Sequence, residues 1–198
     1  MSDYLQPGFY RFNQDSLFLV NWIAHKLQTA SHVLDLGAGS GVIGIEVSNR
    51  LNPQSLTLVE LQKEFLSYLE TNSRDQKKAH YDIEIVNASF GEFKTDKKFD
   101  LIVSNPPYYL PGRGEASQDV KKGMARSFIV DGWAVLLQRI EELLTSEGRA
   151  FIVIKNDKSI LSHLRKEVRG LNVTEFIEKD LVVLELARLH EDRHHELS

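Results

Sequence analysis

Two short stretches of this sequence combine residue types and spacings that suit chemistry rather than packing alone. One is Asn105-Pro106-Pro107-Tyr108, directly after the apolar run Leu101-Ile102-Val103. The other, about three strand–helix units earlier, is Val33-Leu34-Asp35-Leu36-Gly37-Ala38-Gly39-Ser40-Gly41. The glycine loop points to a nucleotide-like cofactor. The tetrad points to a flat amide or amine held for reaction. The ordered pair is more specific than either motif alone.

Strand, glycines and then helix is the geometry in which backbone N–H groups and a helix N-terminus approach a ligand. Gly37, Gly39 and Gly41 permit positive φ and leave no Cβ in the way. The dinucleotide fingerprint is G-x-G-x-x-G, whereas this loop reads G-x-G-x-G. An acid, Asp35, stands at the strand end, where it would repel a pyrophosphate and accept from an ammonium group. The second strand ends in Glu60, where an acid can grip both hydroxyls of a ribose. The bland alternative is a tight strand–helix turn with an incidental glycine cluster. The loop resembles the first motif of class I methyltransferases, and Glu60 resembles their ribose-binding acid. That resemblance implies S-adenosylmethionine as cofactor, held by Asp35, Gly37, Ala38, Gly39, Gly41, Glu60 and Leu61. After the third strand comes Asn87-Ala88-Ser89-Phe90, where such enzymes place a polar group for the cofactor adenine. Ser89 is the matching residue, beside Ala88, and Asn87 is the other candidate. Ser89 equally suits a cap on the next turn.

An exocyclic amine on a purine is a poor nucleophile, because its lone pair is delocalised into the ring. Acceptors beside its N–H hydrogens favour the pyramidal nitrogen of the transition state. The side-chain oxygen of Asn105 and the carbonyl of Pro106 suit that task, and tandem prolines at 106 and 107 hold the carbonyl rigidly. Tyr108 offers a flat face on which a ring stacks. As punctuation, Asn-Pro and Pro-Pro are also common turn formers. The tetrad resembles that of amino-methyltransferases acting on adenine N6 or cytosine N4 in nucleic acid. It is also similar to that of enzymes methylating the glutamine amide of release factors. Tyr10-Arg11-Phe12-Asn13-Gln14-Asp15-Ser16-Leu17, Tyr109, Pro111-Gly112-Arg113-Gly114 and Ala125-Arg126 resemble the bacterial valine-tRNA adenine-N6 methyltransferases. The resemblance implies N6 methylation of adenine in tRNA, with protein glutamine, rRNA or DNA as alternative substrates. A non-catalytic nucleoside- or RNA-binding module is a further alternative. Phe12 lines the cofactor pocket or belongs to the core, and Asp15 contacts the cofactor or caps a helix.

Arg113, Lys121, Lys122 and Arg126 stand against Glu115 and Asp119 after the tetrad, a basic segment in a chain of net charge −4. If the substrate is RNA, this segment with Tyr108 is the expected contact surface. Seven histidines form no convincing ligand set, so no metal is expected. With no cysteine, disulfides and thiolate metal sites are excluded, in keeping with a cytoplasmic protein. No apolar run approaches the roughly 20 residues that span a bilayer, and no secretory leader is visible at Met1-Ser2-Asp3-Tyr4. A monomer is expected.

The elements that must position these motifs alternate between β-branched runs and helical patterns. At 198 residues, the chain is expected to form one domain. The patterns predict a helix near 14–29 within an N-terminal helical segment, 1–30. Strands are predicted at 32–36, 56–59, 83–86, 99–103 and 150–154, with helices at 41–51, 62–77 and 158–168. A substrate loop is expected over 105–127, followed by a helix burying Trp133, Leu136, Leu137, Ile140 and Leu144. Strands at 173–177 and 182–186 are close enough to pair as a hairpin, and 189–198 is a polar tail. The resulting expectation is a Rossmann-like α/β class I methyltransferase fold. Its sheet is seven-stranded and mostly parallel, with an antiparallel C-terminal hairpin and helices on both faces.

Overall fold

In chain order the elements are α1 (Gln14–Lys26), β1 (His32–Leu36), α2 (Val42–Leu51), β2 (Ser55–Val59), α3 (Lys63–Asp75) and β3 (Asp82–Val86). They continue with β4 (Phe99–Ser104), α4 (Val120–Leu143), β5 (Leu144–Lys155), α5 (Lys158–Glu167), β6 (Leu171–Glu178) and β7 (Leu181–Arg188). The computed structural model describes residues 4–8, 14–75, 80–106 and 120–189, with residues 75 and 120–131 described by their backbone only.

Seven strands form one sheet in the order β3-β2-β1-β4-β5-β7-β6. The first five of these pair in parallel, and β7 runs antiparallel to both β5 and β6. β1, β2 and β3 step outward in one direction, after which β4 returns to the opposite flank of β1. That reversal is a topological switch point, and in open α/β sheets a crevice forms there beyond the strand carboxyl ends.

In the central strands side chains alternate between two buried faces, so both parities are largely apolar, whereas the outer strands β3 and β6 expose alternate polar residues. Leu34, Leu36, Ile102, Ile152 and Leu184 pack beneath α4 and α5 through Trp133, Leu136, Ile140, Ile160 and Leu164. Val33, Leu58, Leu101, Val103 and Phe151 pack on the other face, against Leu19, Val20 and Ile23 of α1 and Ile45 and Val47 of α2. α2 ends where Asn52 turns left-handed at φ 48° ahead of Pro53, and α5 begins with the Asp157 carboxylate accepting from the N–H groups of Ser159 and Ile160. The hairpin turns through Lys179-Asp180, with Lys179 at φ 55°.

Four boundaries differ from the sequence reading. α1 stops at Lys26, and Asp100 Oδ2 accepts from the Ser31 and His32 N–H groups as β1 begins. Residues 4–8 are not helical; they lie against α3, where Leu5 exchanges hydrogen bonds with Asn72. The expected loop over 105–127 gives way to helix at Val120, because Gly123 is the one weak helix former there and a lone glycine costs only about 1 kcal/mol. α4 breaks at Gly132 instead, at φ 64°. Finally, Leu144 pairs with Phe99 as the first residue of β5 rather than lying on the helix face.

The α2–β1 approach is tight at Gly44. A Cβ built there would stand 2.8 Å from Leu58 Cδ2 and 2.9 Å from Asp35 Oδ2, both buried. Gly44→Ala should therefore cost about 1–3 kcal/mol despite its better helix propensity, lowering Tm by several degrees. Gly8→Ala, with nothing within 4 Å, should leave it unchanged. A Gly44→Ala melt at or above the parent's would refute the close approach.

Candidate active site

The switch point brings the two motifs side by side. β1 and β4 pair from Val33↔Leu101 to Asp35↔Val103, and the Ser104 hydroxyl donates to the Leu36 carbonyl at 2.6 Å. Continued by two residues, that register sets Gly37 level with Asn105. A small cleft there is lined by Ser16, Gly37, Ala38, Gly39, Ser40, Val42, Ile43 and Asn105.

The glycine loop is held in an unusual backbone path. Gly37, Gly39 and Gly41 all sit at positive φ (80°, 55° and 84°), and Gly41 is the N-cap of α2. A Cβ at Gly41 would come within 2.6 Å of Leu69, so this position excludes side chains on two counts. The Gly37 and Ala38 N–H groups both donate to the Val59 carbonyl, tying the loop to the end of β2. Asn72 donates to the Ser40 carbonyl from the outer side.

Glu60, 4 % exposed, follows β2. Its Oε2 accepts from the Gly39 N–H and its Oε1 from the Gln62 N–H, each at 2.7 Å. Burial pushes its carboxyl above the usual carboxylate range, and these backbone donors pull it partly back. The Leu61 N–H adds a third backbone donor, and a carboxylate offers about four acceptor sites in all. Asp35, 1 % exposed, faces α2 rather than the cleft, and its Oδ2 accepts from the Gly44 N–H at 2.8 Å. Its Oδ1 is buried without a hydrogen-bond partner among the described residues. Burial above all, reinforced by the nearby Glu60 charge and opposed by the Gly44 bond, pushes the Asp35 carboxyl up to about 7. An orphaned carboxylate oxygen beneath a glycine loop suits a cationic nucleoside better than an anionic one.

The two candidates after β3 have separate tasks. The Asn87 carboxamide donates to the Glu60 and Leu61 carbonyls, joining the ends of β2 and β3. Ser89 is 2 % exposed and forms a reciprocal cap with Glu92: the Glu92 N–H donates to Ser89 Oγ, and the Ser89 N–H to Glu92 Oε2. Ala88 is partly buried against the α4 side of the core.

Asn105 is half-buried and donates from Nδ2 to Ser16 Oγ at 3.1 Å, while Pro106 is buried. Phe12, Pro107, Tyr108 and Arg113 lie outside the described residues. Lys121, Lys122 and Arg126 fall on the first half of α4, where the backbone alone is described. Sequence reasoning missed Ser16 as a partner of Asn105, and Asn72 as the outer brace of the loop; neither has a local signal, since both contacts join residues far apart in sequence. Among the described residues no three His, Cys, Asp or Glu side chains could hold a metal ion, and no helix is long and apolar enough to cross a membrane.

Comparison with known proteins agrees with this geometry. The profile of the methyltransferase small domain family matches residues 9–183. A tRNA1(Val) (adenine(37)-N6)-methyltransferase of Glaesserella parasuis is 33 % identical over 139 residues, 68 % of this chain and 57 % of that protein. One of the same name from Pedobacter heparinus is 26 % identical over 172 residues, 86 % of this chain and 71 % of that protein. The chain thus spans little more than half the length of the first of these relatives. Among solved structures, a ribosomal protein L11 methylase of Lactobacillus delbrueckii subsp. bulgaricus superposes with a TM-score of 0.65 at 19 % identity, covering 90 % of this chain and 81 % of that one. Its fold is the Rossmann-like one expected from the sequence. The chain belongs to the methyltransferase small domain family.

Proposed function

We propose that this protein methylates an exocyclic amine with S-adenosylmethionine as donor, and that its substrate is the N6 amine of an adenine in tRNA. The observation that carries the reading is the shared cleft. Asn105 and the glycine loop line it together, at the switch point of the sheet. A tRNA adenine is favoured over the other amines because the similar proteins reported above are named for it.

When bound, the cofactor supplies a methyl group on a positively charged sulfur. Glu60 would accept from its ribose hydroxyls, and the glycine loop with Ser40 and Ile43 would line its cleft. When ionised, the Asp35 carboxylate beneath the loop would favour a cation over a pyrophosphate. On the substrate side, Asn105 Oδ1 and the Pro106 carbonyl accept from the amine hydrogens and localise the nitrogen lone pair, and Tyr108 stacks on the ring. The methyl group would pass to the amine nitrogen, whose excess proton would then be lost to solvent. The neutral amine needs no general base before attack. Preorganised acceptors of this kind are typically worth about 10²–10³-fold in rate.

Incubation with labelled cofactor and total tRNA, followed by nucleoside mass spectrometry, should give N6-methyladenosine, whereas a release factor should stay unlabelled. Asn105→Ala should lower turnover by about 10²-fold or more while cofactor affinity stays within about twofold. Label on the protein alone, or full turnover in that variant, would overturn the reading.

Binding of tRNA should weaken as salt rises. Neutralising Lys121, Lys122 and Arg126 together should flatten the slope of log affinity against log salt by about 2–3 units. An unchanged slope would place the phosphates elsewhere.

Asp35 has a pH signature. Its folded carboxyl lies near 7 against 3.8 unfolded, so the folded state binds the extra proton between those values. The associated stability is present in full below about pH 4 and is lost as pH rises through about 7. Without cofactor, Asp35→Asn should remove that decline in denaturant melts taken from pH 5 to pH 8, and saturating cofactor should lessen it in the parent. Parallel curves for parent and variant would exclude the raised value.

A further inference from the structure

We propose that Asn72 is a positioning residue for the cofactor loop, and that through it the N-terminal segment 4–8 forms part of the cofactor site; this rests on the S-adenosylmethionine reading above. A turn with glycines at 37, 39 and 41 takes a path that other residues resist, but glycine gives it no stiffness of its own. The peptide unit between Ser40 and Gly41 can rotate at little steric cost at its glycine end, since glycine accepts either sign of φ. That peptide matters to the cleft. Its N–H donates to the Ala38 carbonyl, closing the turn, and Gly41 caps α2 and accepts from the Ile45 N–H. Ser40, Val42 and Ile43, on either side of it, line the cleft.

The carbonyl side of that peptide is held from outside the loop. Asn72 Nδ2 donates to the Ser40 carbonyl at 2.8 Å and to the Leu5 carbonyl at 2.9 Å, while its Oδ1 accepts from the Leu5 N–H at 2.9 Å. Two of these backbone partners can only accept and the third can only donate, so the carboxamide has one orientation. Turned over, it would set oxygen against two carbonyls and N–H against N–H. Asn72 is 2 % exposed in α3 and Ser40 3 % exposed, so water does not replace a lost bond there. The segment is fastened a second time where the Tyr4 hydroxyl donates to Glu46 Oε1 of α2 at 2.9 Å, and Pro7 is buried. The Leu5 side chain is half exposed and adds little, so its backbone bonds to Asn72 hold it in place. Residues 4–8 thus bridge α2 and α3, and the Asn72 carboxamide passes that bridge on to the loop. Among the described residues Asn72 does not line the cleft, so it acts on a ligand through Ser40.

Calorimetric binding of S-adenosylmethionine to the full chain, below the melting transition, tests this without any methyl acceptor. Asn72→Asp keeps the side-chain shape and the acceptor for Leu5 but removes both N–H donors, and should weaken binding about tenfold. Thr71→Ala, one residue earlier, where the hydroxyl bonds to the Ser67 carbonyl within α3, should bind within about twofold of the parent. A brace that served stability alone would lower Tm and leave the affinity of the folded protein where it was. Coupling is reciprocal, so saturating cofactor should slow amide exchange at Leu5 about tenfold in the parent, and not in Asn72→Asp. The exchange measurement on the parent needs no variant, so it decides the matter if Asn72→Asp does not fold. Affinity of Asn72→Asp within about twofold of the parent's would overturn the proposal, as would Leu5 exchange in the parent that is indifferent to cofactor. A parent that binds no cofactor would instead sink the S-adenosylmethionine site itself.

Discussion

The parallel pairing of β1 with β4 is the constraint on which the rest of the site depends. It is pinned at both ends by side chains of β4. Asp100 accepts from the first N–H groups of β1, and the Ser104 hydroxyl donates to the Leu36 carbonyl at the last. A slip of one residue would turn Leu101 and Val103 off the α1–α2 face and Ile102 off the α4 face, exchanging two packed cores at once. The register is therefore set by burial along the whole strand and not by the loops at its end. Those loops inherit it. The glycine turn and the Asn105 turn are neighbours because the strands beneath them cannot pair otherwise.

The loop at the end of β1 also rests on an electrostatic compromise. Glu60 and Asp35 are both nearly inaccessible, and the Glu60 charge adds to the cost of charging Asp35. Backbone N–H groups at Gly39, Gln62 and Gly44 meet three of their four oxygens, which is what keeps a buried carboxyl tolerable. The fourth, Asp35 Oδ1, has no such donor among the described residues. Buried titratable groups raised this far are a burden to a scaffold and cluster where ligands bind. A cation near the loop relieves the burden, which is why a positively charged nucleoside suits this turn.

Charge is distributed unevenly around the same rim. Beside the first turn of α1 lies a second cleft, walled by Asp15, Glu178 and Asp180 with Lys155 and Lys179. Lys155 is already engaged by Asp15 at 3.2 Å and Asp180 at 3.1 Å, so its ammonium is matched within the protein. A polyanion gains affinity by releasing counterions from unmatched cations, and this flank offers acids in excess. On the chain, Lys121, Lys122 and Arg126 follow in the first half of α4.

How much of this was legible in the sequence varied with the range of the interaction. All seven strands were placed by β-branched and apolar runs, continuous in the central strands buried on both faces and alternating in β3 and β6, and the short gap at Lys179-Asp180 announced the hairpin. The glycine loop and Asn105 were legible because each is a turn chemistry written in consecutive residues. The second half of helix α4 was legible through Trp133, Leu136, Leu137 and Ile140, but its start was not, since glycines punctuate this stretch and their effect depends on tertiary packing: Gly123 lies within the helix and Gly132 breaks it. Asp15 was open between a cofactor contact and a helix cap, and in the structure it is a buried partner of Lys155, 140 residues away. Ser89 forms a cap and Asn87 a brace, so a shared position after β3 splits into two tasks that only the folded chain separates. The same logic applies to Ser16. A serine in a first helical turn reads as unremarkable capping chemistry, and its partner lies 89 residues on. What sequence pattern conveys is each element's own geometry; what it omits is which elements meet, and the parts of this site that orient atoms are contacts of the second kind.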